Sequence, residues 1–168
     1  MKIEMTDVGP KLSEEELAKF EEQIGFTLPI SYRKFLLAYN GGNPSPYFYV
    51  VPKWHYQQSL VNEFNGIDPD GEHIIDLRET IELLASRLPK GFIPIAGDPG
   101  GNCVLISLDG PTYGKIYFWD HENEPEDCTE NLSDYANIYW LADDFEDFLN
   151  NLKEEHELGT SDSEDLQR

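Results

Sequence analysis

The sequence is poor in cysteine and lacks long apolar runs. Its 168 residues include only two cysteines, Cys103 and Cys128, and the two form no CxxC pair. This spacing excludes a dense disulfide framework and is typical of a cytosolic protein with reduced thiols. No run of about 18 apolar residues occurs, and the N-terminal segment has no apolar core like that of a signal peptide. We therefore expect a cytoplasmic protein without a membrane span.

Positive charge is also scarce. Twelve lysines and arginines stand against 33 aspartates and glutamates, which gives a formal net charge of −21 at pH 7. Only a small part of this excess lies in residues 153–168, so the rest of the chain is itself strongly acidic. Such a surface repels nucleic-acid phosphates and anionic lipids, and it attracts basic partners. We expect no nucleic-acid and no membrane partner; solubility is the alternative reason for the acidity.

The apolar residues, by contrast, are abundant enough for one packed domain. Hydrophobic residues make up 39% of the chain and aromatic residues 12%. Ser13 and Glu16 form a capping box that begins a first helix, and Gly25 ends it. A second helix is predicted from Pro29 to the glycines at 41–42.

Extended segments dominate the rest of the chain. A strand is predicted at 47–51, a polar loop at 62–73 and a third helix at 76–88. Further strands are predicted at 92–95, 102–108, 115–119 and 138–141, followed by a last helix capped by Asp143. The predicted fold is α+β: one domain, mainly antiparallel sheet, flanked by N-terminal helices and closed by a C-terminal helix. We expect residues 1–152 to form this domain and residues 153–168 an acidic, disordered tail.

A series of short motifs runs through residues 13–152. They are Leu28-Pro29 with Tyr32, Asn40-Gly41-Gly42, Ile93-Pro94-Ile95-Ala96, Gly100-Gly101-Asn102, Tyr117 to His121, and Phe145 with Phe148. In this order and spacing they resemble the SUKH superfamily, which includes a yeast regulator of cell-wall assembly and bacterial toxin-immunity proteins. The resemblance implies a shared scaffold and a protein-binding role, because members of the superfamily share a fold more than a chemistry.

The glycine-rich stretch GDPGGN at 97–102 raises the question of a phosphate-binding loop. It lacks the Lys-Ser/Thr pair of a P-loop, its glycines do not match GxGxxG, and no helix follows it. We predict a turn between two strands, in which Asp98 bonds a nearby amide. No nucleotide or other cofactor is expected.

Two other stretches could be mistaken for metal sites. In NGIDPDGEHIID, placing Gly71 at the glycine position of a calcium loop puts Gly66 and Leu77 at the first and last ligand positions. Neither side chain can bind calcium, so a surface turn is the better interpretation. In Trp119-Asp120-His121-Glu122, neighbouring side chains of an extended segment alternate in direction and cannot all face one ion. We expect no metal.

Nothing in the sequence indicates catalysis. The chain has no G-x-S-x-G motif, and neither cysteine lies in a local signature with a histidine. We therefore expect that the protein is not an enzyme.

The most unusual stretch lies between Lys115 and Lys153, where no lysine or arginine occurs among eleven acids. Uncompensated carboxylates repel one another, and a basic partner would relieve this repulsion. Six of them are our candidate partner-binding residues: Asp120, Glu122, Glu124, Glu126, Asp127 and Glu130. The alternative is an ordinary solvated face.

An aromatic segment provides a second set of candidates. In residues 47–56, aromatic residues are too dense for all of them to be buried if successive side chains alternate between the two faces of a strand. Tyrosine and tryptophan make good interface anchors, so we add Tyr47, Tyr49, Trp54 and Tyr56 to the candidate site. The alternative is that these side chains belong to the core.

The resemblance implies a non-catalytic cytoplasmic immunity protein, and the charge agrees with this role. It would bind and neutralise a cognate secreted toxin, of which a basic nuclease is the type that fits the charge. The alternative is a regulatory protein-binding scaffold for cell-wall or signalling proteins. The predicted partner is a basic protein toxin, and the protein itself is expected to be a monomer or a homodimer.

Overall fold

The computed structural model describes residues 3–158 and shows helices and antiparallel strands mixed along that part of the chain. The helices are α1 (Glu14–Ile24), α2 (Ile30–Ala38), α3 (Leu77–Leu84) and α4 (Phe145–Asn150). The strands are β1 (Glu4–Thr6), β2 (Asn43–Ser45), β3 (Phe48–Val50), β4 (Gln58–Leu60), β5 (Glu63–Phe64), β6 (Phe92–Gly97), β7 (Cys103–Ser107), β8 (Ile116–Trp119) and β9 (Ile138–Ala142). The predicted single α+β domain is confirmed.

The start and end of α1 follow the predicted signals. Ser13 Oγ accepts a hydrogen bond from the Glu16 amide at 3.1 Å, and the Glu16 carboxylate accepts one from the Ser13 amide at 2.8 Å. Gly25 ends the helix in the left-handed conformation, with φ of 76°. Pro29 is the N-cap of α2, and this helix ends at Ala38, before the glycines that we expected to end it.

The main sheet has five antiparallel strands in the order β5-β6-β7-β8-β9. The prediction of its central strands is confirmed, because each is a run of apolar residues long enough to be recognised as a strand in the sequence. The β5 edge is covered, since the Phe64 amide and carbonyl exchange hydrogen bonds of 2.8 and 3.0 Å with Gly42. A bulge between β8 and β9 leaves Leu141 without a partner residue on β8.

The sequence analysis missed four short strands and misjudged one loop. These are β1, β2, β4 and β5, and two or three residues are too few for an alternating pattern to show. Strands β1 and β2 form one small sheet, and β4 pairs with the predicted strand β3 in another. The segment 62–73, predicted as a polar loop, contains β5 and the buried side chains of Phe64 and Ile67. Its Asn65 is also buried and donates to the Pro94 carbonyl at 3.1 Å.

The two faces of the sheet pack against different elements. The larger core lies between the sheet and helices α1, α2 and α4, with Phe35, Phe64 and Phe145 in edge-on ring contacts. The smaller core packs Leu84 and Leu88 against Leu105, Tyr117 and Trp119 on the opposite face. Helix α3 is shorter than predicted and ends at Leu84, and Asp76 is its N-cap.

The last helix begins one residue later than predicted. Asp144, and not Asp143, is the N-cap, and its Oδ1 accepts from the Asp147 amide at 2.9 Å. Asp143 instead accepts from Trp140 Nε1 at 3.3 Å and lies 3.7 Å from Lys115 Nζ. Both aspartates are followed by acids, so the sequence pattern fits either register.

The end of the domain is tied to β3. Phe48 and Lys153 exchange two backbone hydrogen bonds, at 3.1 and 2.7 Å. Residues 155–157 form a 3₁₀ turn that is capped at Glu154. The disorder expected for residues 153–168 stays a prediction. The remainder of the predicted tail, residues 159–168, lies outside the described residues.

Candidate protein-binding site

The acidic loop, residues 120–130, begins with a buried carboxylate. Asp120 follows β8 and is only 2% exposed. Its Oδ2 accepts from Trp54 Nε1 at 3.0 Å and from Asn123 Nδ2 at 2.7 Å, and its Oδ1 accepts from the Glu122 amide at 3.0 Å. The prediction that Asp120 lies on an exposed acidic face is therefore wrong. Its carboxylate holds the start of the loop from inside the protein.

These contacts set the ionisation of Asp120. Burial by itself raises the pKa of a carboxyl group, because it removes the charged form from water. The hydrogen bonds from Trp54, Asn123 and the Glu122 amide act in the opposite direction and more than offset it. The pKa of Asp120 is therefore lowered, and the group is a buried carboxylate at neutral pH.

The aromatic turn, residues 52–57, joins β3 to β4 and lies against the start of the acidic loop. Trp54 is only 6% exposed, and its ring packs 4.5 Å from that of Phe118. Tyr49 is also buried, in edge-on contact with Phe148 at 5.4 Å. The prediction that Trp54 and Tyr49 are surface anchors is wrong, because both side chains belong to the larger core.

Of the four candidate aromatics, Tyr56 is the most exposed. Its side chain is 64% exposed and stacks edge-on against Trp54 at 5.0 Å. It therefore stands next to the buried Trp54–Asp120 pair and faces solvent. Tyr47 is exposed as well, but it precedes the other end of β3, where it packs on Phe48 at 4.6 Å. The structure thus joins Tyr56 to the acidic loop and does not join Tyr47 to it.

Four carboxylates of the acidic loop are exposed. They belong to Glu122, Glu126, Asp127 and Glu130. Within residues 3–158, none of the four lies within ion-pair distance of a lysine, arginine or histidine. This part of the loop is the uncompensated acidic surface that the composition predicts.

Glu124 differs from these four because it has a cationic partner. Arg87, which follows α3, forms an ion pair with the Glu124 carboxylate. The same guanidinium lies 4.7 Å from the centre of the Trp119 ring, in cation–π geometry. The expectation of a stretch without any compensating base is wrong at this position. Sequence analysis missed Arg87 because it lies well outside the base-free stretch.

A polar network that the sequence analysis did not assemble holds the other side of the loop. Asp98 Oδ1 accepts from the amides of Gly100 and Asn102 at 2.8 and 2.9 Å, which confirms the turn predicted for 97–102. Asn102 Oδ1 in turn accepts from the His121 amide at 3.1 Å and lies 2.7 Å from His121 Nδ1. The signal was present in the GDPGGN motif, but the partner of its asparagine lies nineteen residues further on.

The groups considered for other chemistry have structural roles. Asp68 is buried and accepts from the amides of His73 and Ile74 at 2.9 and 3.3 Å, which lower its pKa. Residues 3–158 contain no group of three or more histidine, cysteine, aspartate or glutamate side chains placed to hold a metal ion. Burial raises the pKa of Cys103 to about 12, so its thiol is protonated at neutral pH and is a poor nucleophile.

Among residues 3–158, no helix combines the length and the apolar character needed to cross a bilayer.

Comparison with known proteins agrees with the fold and its motifs. The sequence profile of the SMI1/KNR4 family (SUKH-1) matches residues 11–151. One relative is the SPbeta prophage-derived uncharacterized protein YokK of Bacillus subtilis (strain 168). It is 29% identical over 157 residues, which cover 84% of this chain and 74% of the relative. Because the profile match spans most of the chain and every element from α1 to α4, the protein belongs to the SMI1/KNR4 family (SUKH-1).

Proposed function

We propose that the protein is a cytoplasmic immunity protein that binds a basic toxin and blocks its working surface. The family supports a protein-binding role, and its resemblance to toxin-immunity proteins supports this particular one. A relative from a prophage fits a role in conflict between bacteria or their viruses. A nuclease is the toxin class that we favour, because nucleases are basic where they hold phosphates.

The observation that carries the proposal is the exposed part of the acidic loop. Four neighbouring carboxylates that have no cationic partner within residues 3–158 repel one another, and this repulsion weakens when lysines or arginines of a partner approach. Such a loop must be anchored to the domain if it is to present its charges in one arrangement. Asp120 holds the start through Trp54, and the Glu124–Arg87 ion pair holds the middle.

Tyr56 provides the apolar contact beside this charge. Its ring is exposed and rests on the buried Trp54, so it loses little freedom when a partner covers it. The site that we propose therefore consists of Tyr56, Glu122, Glu126, Asp127 and Glu130. The acids would speed encounter with a basic partner and the tyrosine would slow its departure.

Inhibition at this site would require no chemistry on the toxin. The bound protein would cover a basic surface and oppose the entry of phosphate-bearing substrate, both by its volume and by its negative charge. The toxin would recover its activity after dissociation.

The proposal is tested by the rate of association with a toxin domain encoded by the neighbouring gene, at low and at high salt. The test variant carries Glu122→Gln, Glu126→Gln, Asp127→Asn and Glu130→Gln. The matched control makes the same change in net charge on exposed acids elsewhere: Glu4→Gln, Glu15→Gln, Glu22→Gln and Glu79→Gln. We expect the test variant to associate on the order of tenfold more slowly at low salt and to lose most of the salt dependence.

The control separates a local effect from net charge. If both variants slow association equally, the acidic loop is not the docking surface. If the parent protein does not bind the toxin domain at all, the immunity function is wrong for that partner. Tyr56→Ala should instead raise the dissociation rate and leave association nearly unchanged.

A further inference from the structure

Within residues 3–158, no strand pairs with the outer edge of β9. Its Asn137 carbonyl, just before the strand, accepts from the Asp120 amide at 2.9 Å. In an antiparallel pair the bonded residues alternate, so the backbone groups of Ile138 and Trp140 point away from β8. Within residues 3–158, no other backbone group bonds to these two residues. The opposite edge of the same sheet, by contrast, is covered by Gly42.

Strand β3 presents a second open position to the same region. The Val51 amide donates to Gln57, and the Tyr47 carbonyl accepts from Val61, so residues 47, 49 and 51 pair with β4. Phe48 and Val50 therefore face the other way. Phe48 is bonded to Lys153, whereas no backbone hydrogen bond on that side involves Val50 in the described part of the chain.

An apolar groove lies between these two strands. It measures about 240 Å³, and Val50, Trp140, Leu141 and Phe148 are among its lining residues. Trp140 is 48% exposed and Val50 46%, so both side chains present apolar surface to solvent at the groove. Free backbone groups beside an apolar groove are what an added β-strand requires: the backbone provides affinity and the groove receives a side chain.

The charge around the groove selects its occupant. Asp143 accepts from Trp140 Nε1 and is paired with Lys115, whose Nζ lies 3.7 Å away. Asp144 and Asp147 lie on the face of α4 that carries Phe148 and Asn151, and neither has an ion-pair partner within residues 3–158. Lys153 is the one base that lines the groove. A second copy of this chain would bring the same acids and a charge of −21 to the same place, so repulsion opposes self-pairing. A segment with lysines or arginines is attracted.

We propose that this edge groove binds an extended, basic segment of a partner protein, which pairs as an additional strand along β9. Alternate side chains of the segment would point into the groove beside Trp140, and its lysines or arginines would face Asp144 and Asp147. If that partner is a toxin, the assignment rests on the proposed function. The groove itself is a property of this chain and can be tested without any toxin.

The probe is a synthetic hexapeptide of alternating valine and lysine, with the alternating valine and glutamate peptide as its control. Trp54 and Trp119 are buried, so quenching of tryptophan fluorescence by acrylamide reports mainly on Trp140. We expect the lysine peptide to reduce quenching and to slow hydrogen exchange at the amides of Ile138 and Trp140. The glutamate peptide should do neither.

Two variants at one position separate the backbone from the side chain. Trp140→Thr removes the indole and keeps the outward amide, whereas Trp140→Pro removes both. Proline is tolerated on an edge strand where its missing amide faces outward. We expect the proline variant to bind the lysine peptide about tenfold more weakly than the threonine variant, as for the loss of one hydrogen bond.

The exchange measurement on the parent protein remains decisive if the proline variant does not fold. Exchange that is unchanged by the lysine peptide overturns the proposal, and so does equal binding of both peptides. Concentration-dependent protection of Trp140 together with a doubled mass in sedimentation also overturns it, because a second copy then covers the edge. A toxin that binds with full affinity to Trp140→Pro leaves the proposed function standing and removes its link to this groove.

Discussion

Trp54 and Asp120 lie 66 positions apart in the sequence and share a hydrogen bond of 3.0 Å inside the protein. The indole Nε1 donates to a carboxylate that is almost fully buried. This bond ties the aromatic turn to the start of the acidic loop. The buried Trp54–Asp120 hydrogen bond therefore helps to position both neighbouring surface features, Tyr56 and the exposed acids of the loop.

Removing the indole donor should destabilise the protein. Trp54→Phe keeps an aromatic ring against Phe118 but leaves Asp120 with one hydrogen bond fewer in a buried position. We expect the free energy of unfolding to fall by about 1.5–3 kcal/mol, the usual contribution of one hydrogen bond to a charged group. Urea denaturation measures it. Tyr56→Phe, at an exposed ring, is the control and should change the free energy by no more than about 0.5 kcal/mol.

Acid should weaken the same bond. The pKa of Asp120 in the folded protein lies below its value of about 3.9 in an unfolded chain. The folded state is therefore stabilised above the unfolded pKa, and this contribution is lost as the pH falls through the lowered folded pKa. Asp120→Asn should show a flatter loss of stability than the parent below about pH 4. An equally steep decline would show that Asp120 contributes nothing to acid sensitivity.

The turn at 97–102 should not bind nucleotides. The amides of Gly100 and Asn102, which would hold a phosphate in a binding loop, already donate to the Asp98 carboxylate. We expect no heat when ATP or GTP is titrated into the protein in a calorimeter. A site of micromolar affinity would contradict this interpretation of the turn.

The same carboxylate should matter for stability. Asp98 also accepts from Ser59 Oγ and from Asn102 Nδ2, both at 2.9 Å. Asp98→Ala should therefore lower the free energy of unfolding by about 2–4 kcal/mol, because it removes several hydrogen bonds at once. Thermal or urea unfolding measures the effect. Asp109→Ala is a useful control, since Asp109 caps a similar turn through a single side-chain bond to the Gly110 amide and should cost less.

The two cysteines should differ in reactivity. Cys128 is exposed, whereas Cys103 is largely buried with a pKa of about 12. The thiolate is the reactive form, so iodoacetamide at about pH 8 should label one thiol per folded chain. Mass spectrometry of the parent and of Cys128→Ser reads this out directly, and the variant should take up no label until it is unfolded. Rapid labelling of two sites in the parent would contradict the burial of Cys103.

Two truncations test how the C-terminal segment contributes to stability. Deletion of residues 155–168 should shift the melting temperature by less than about 2 °C, because the segment lacks apolar periodicity. Deletion of residues 153–168 also removes the two backbone hydrogen bonds between Lys153 and Phe48 and should cost more. A large loss in the shorter deletion would show that the end of the chain packs on the domain.

Local signals were sufficient for much of the fold. The capping box at Ser13, the left-handed glycine at 25 and the strands β6 to β8 depend on residues that are near one another in the chain. The Asp98 turn belongs to the same class. Caps and turns are bonds between neighbours, and periodicity reflects which face of one element is buried. For these features the sequence alone determined the structure, and its ordered motifs identified the family.

The residues of the candidate site are far apart in the sequence, and only the tertiary structure shows which of them lie together. Trp54 and Asp120 are buried because each provides the other's hydrogen-bond partner. The pairing of Arg87 with Glu124 likewise joins segments 37 residues apart. The open edge of β9 exists because nothing in the described chain pairs with it, and strand order is a property of the whole fold. The sequence by itself determined an acidic protein of this family. Tertiary packing decided which acids and aromatics face a partner, because burial depends on residues that the chain brings together only by folding.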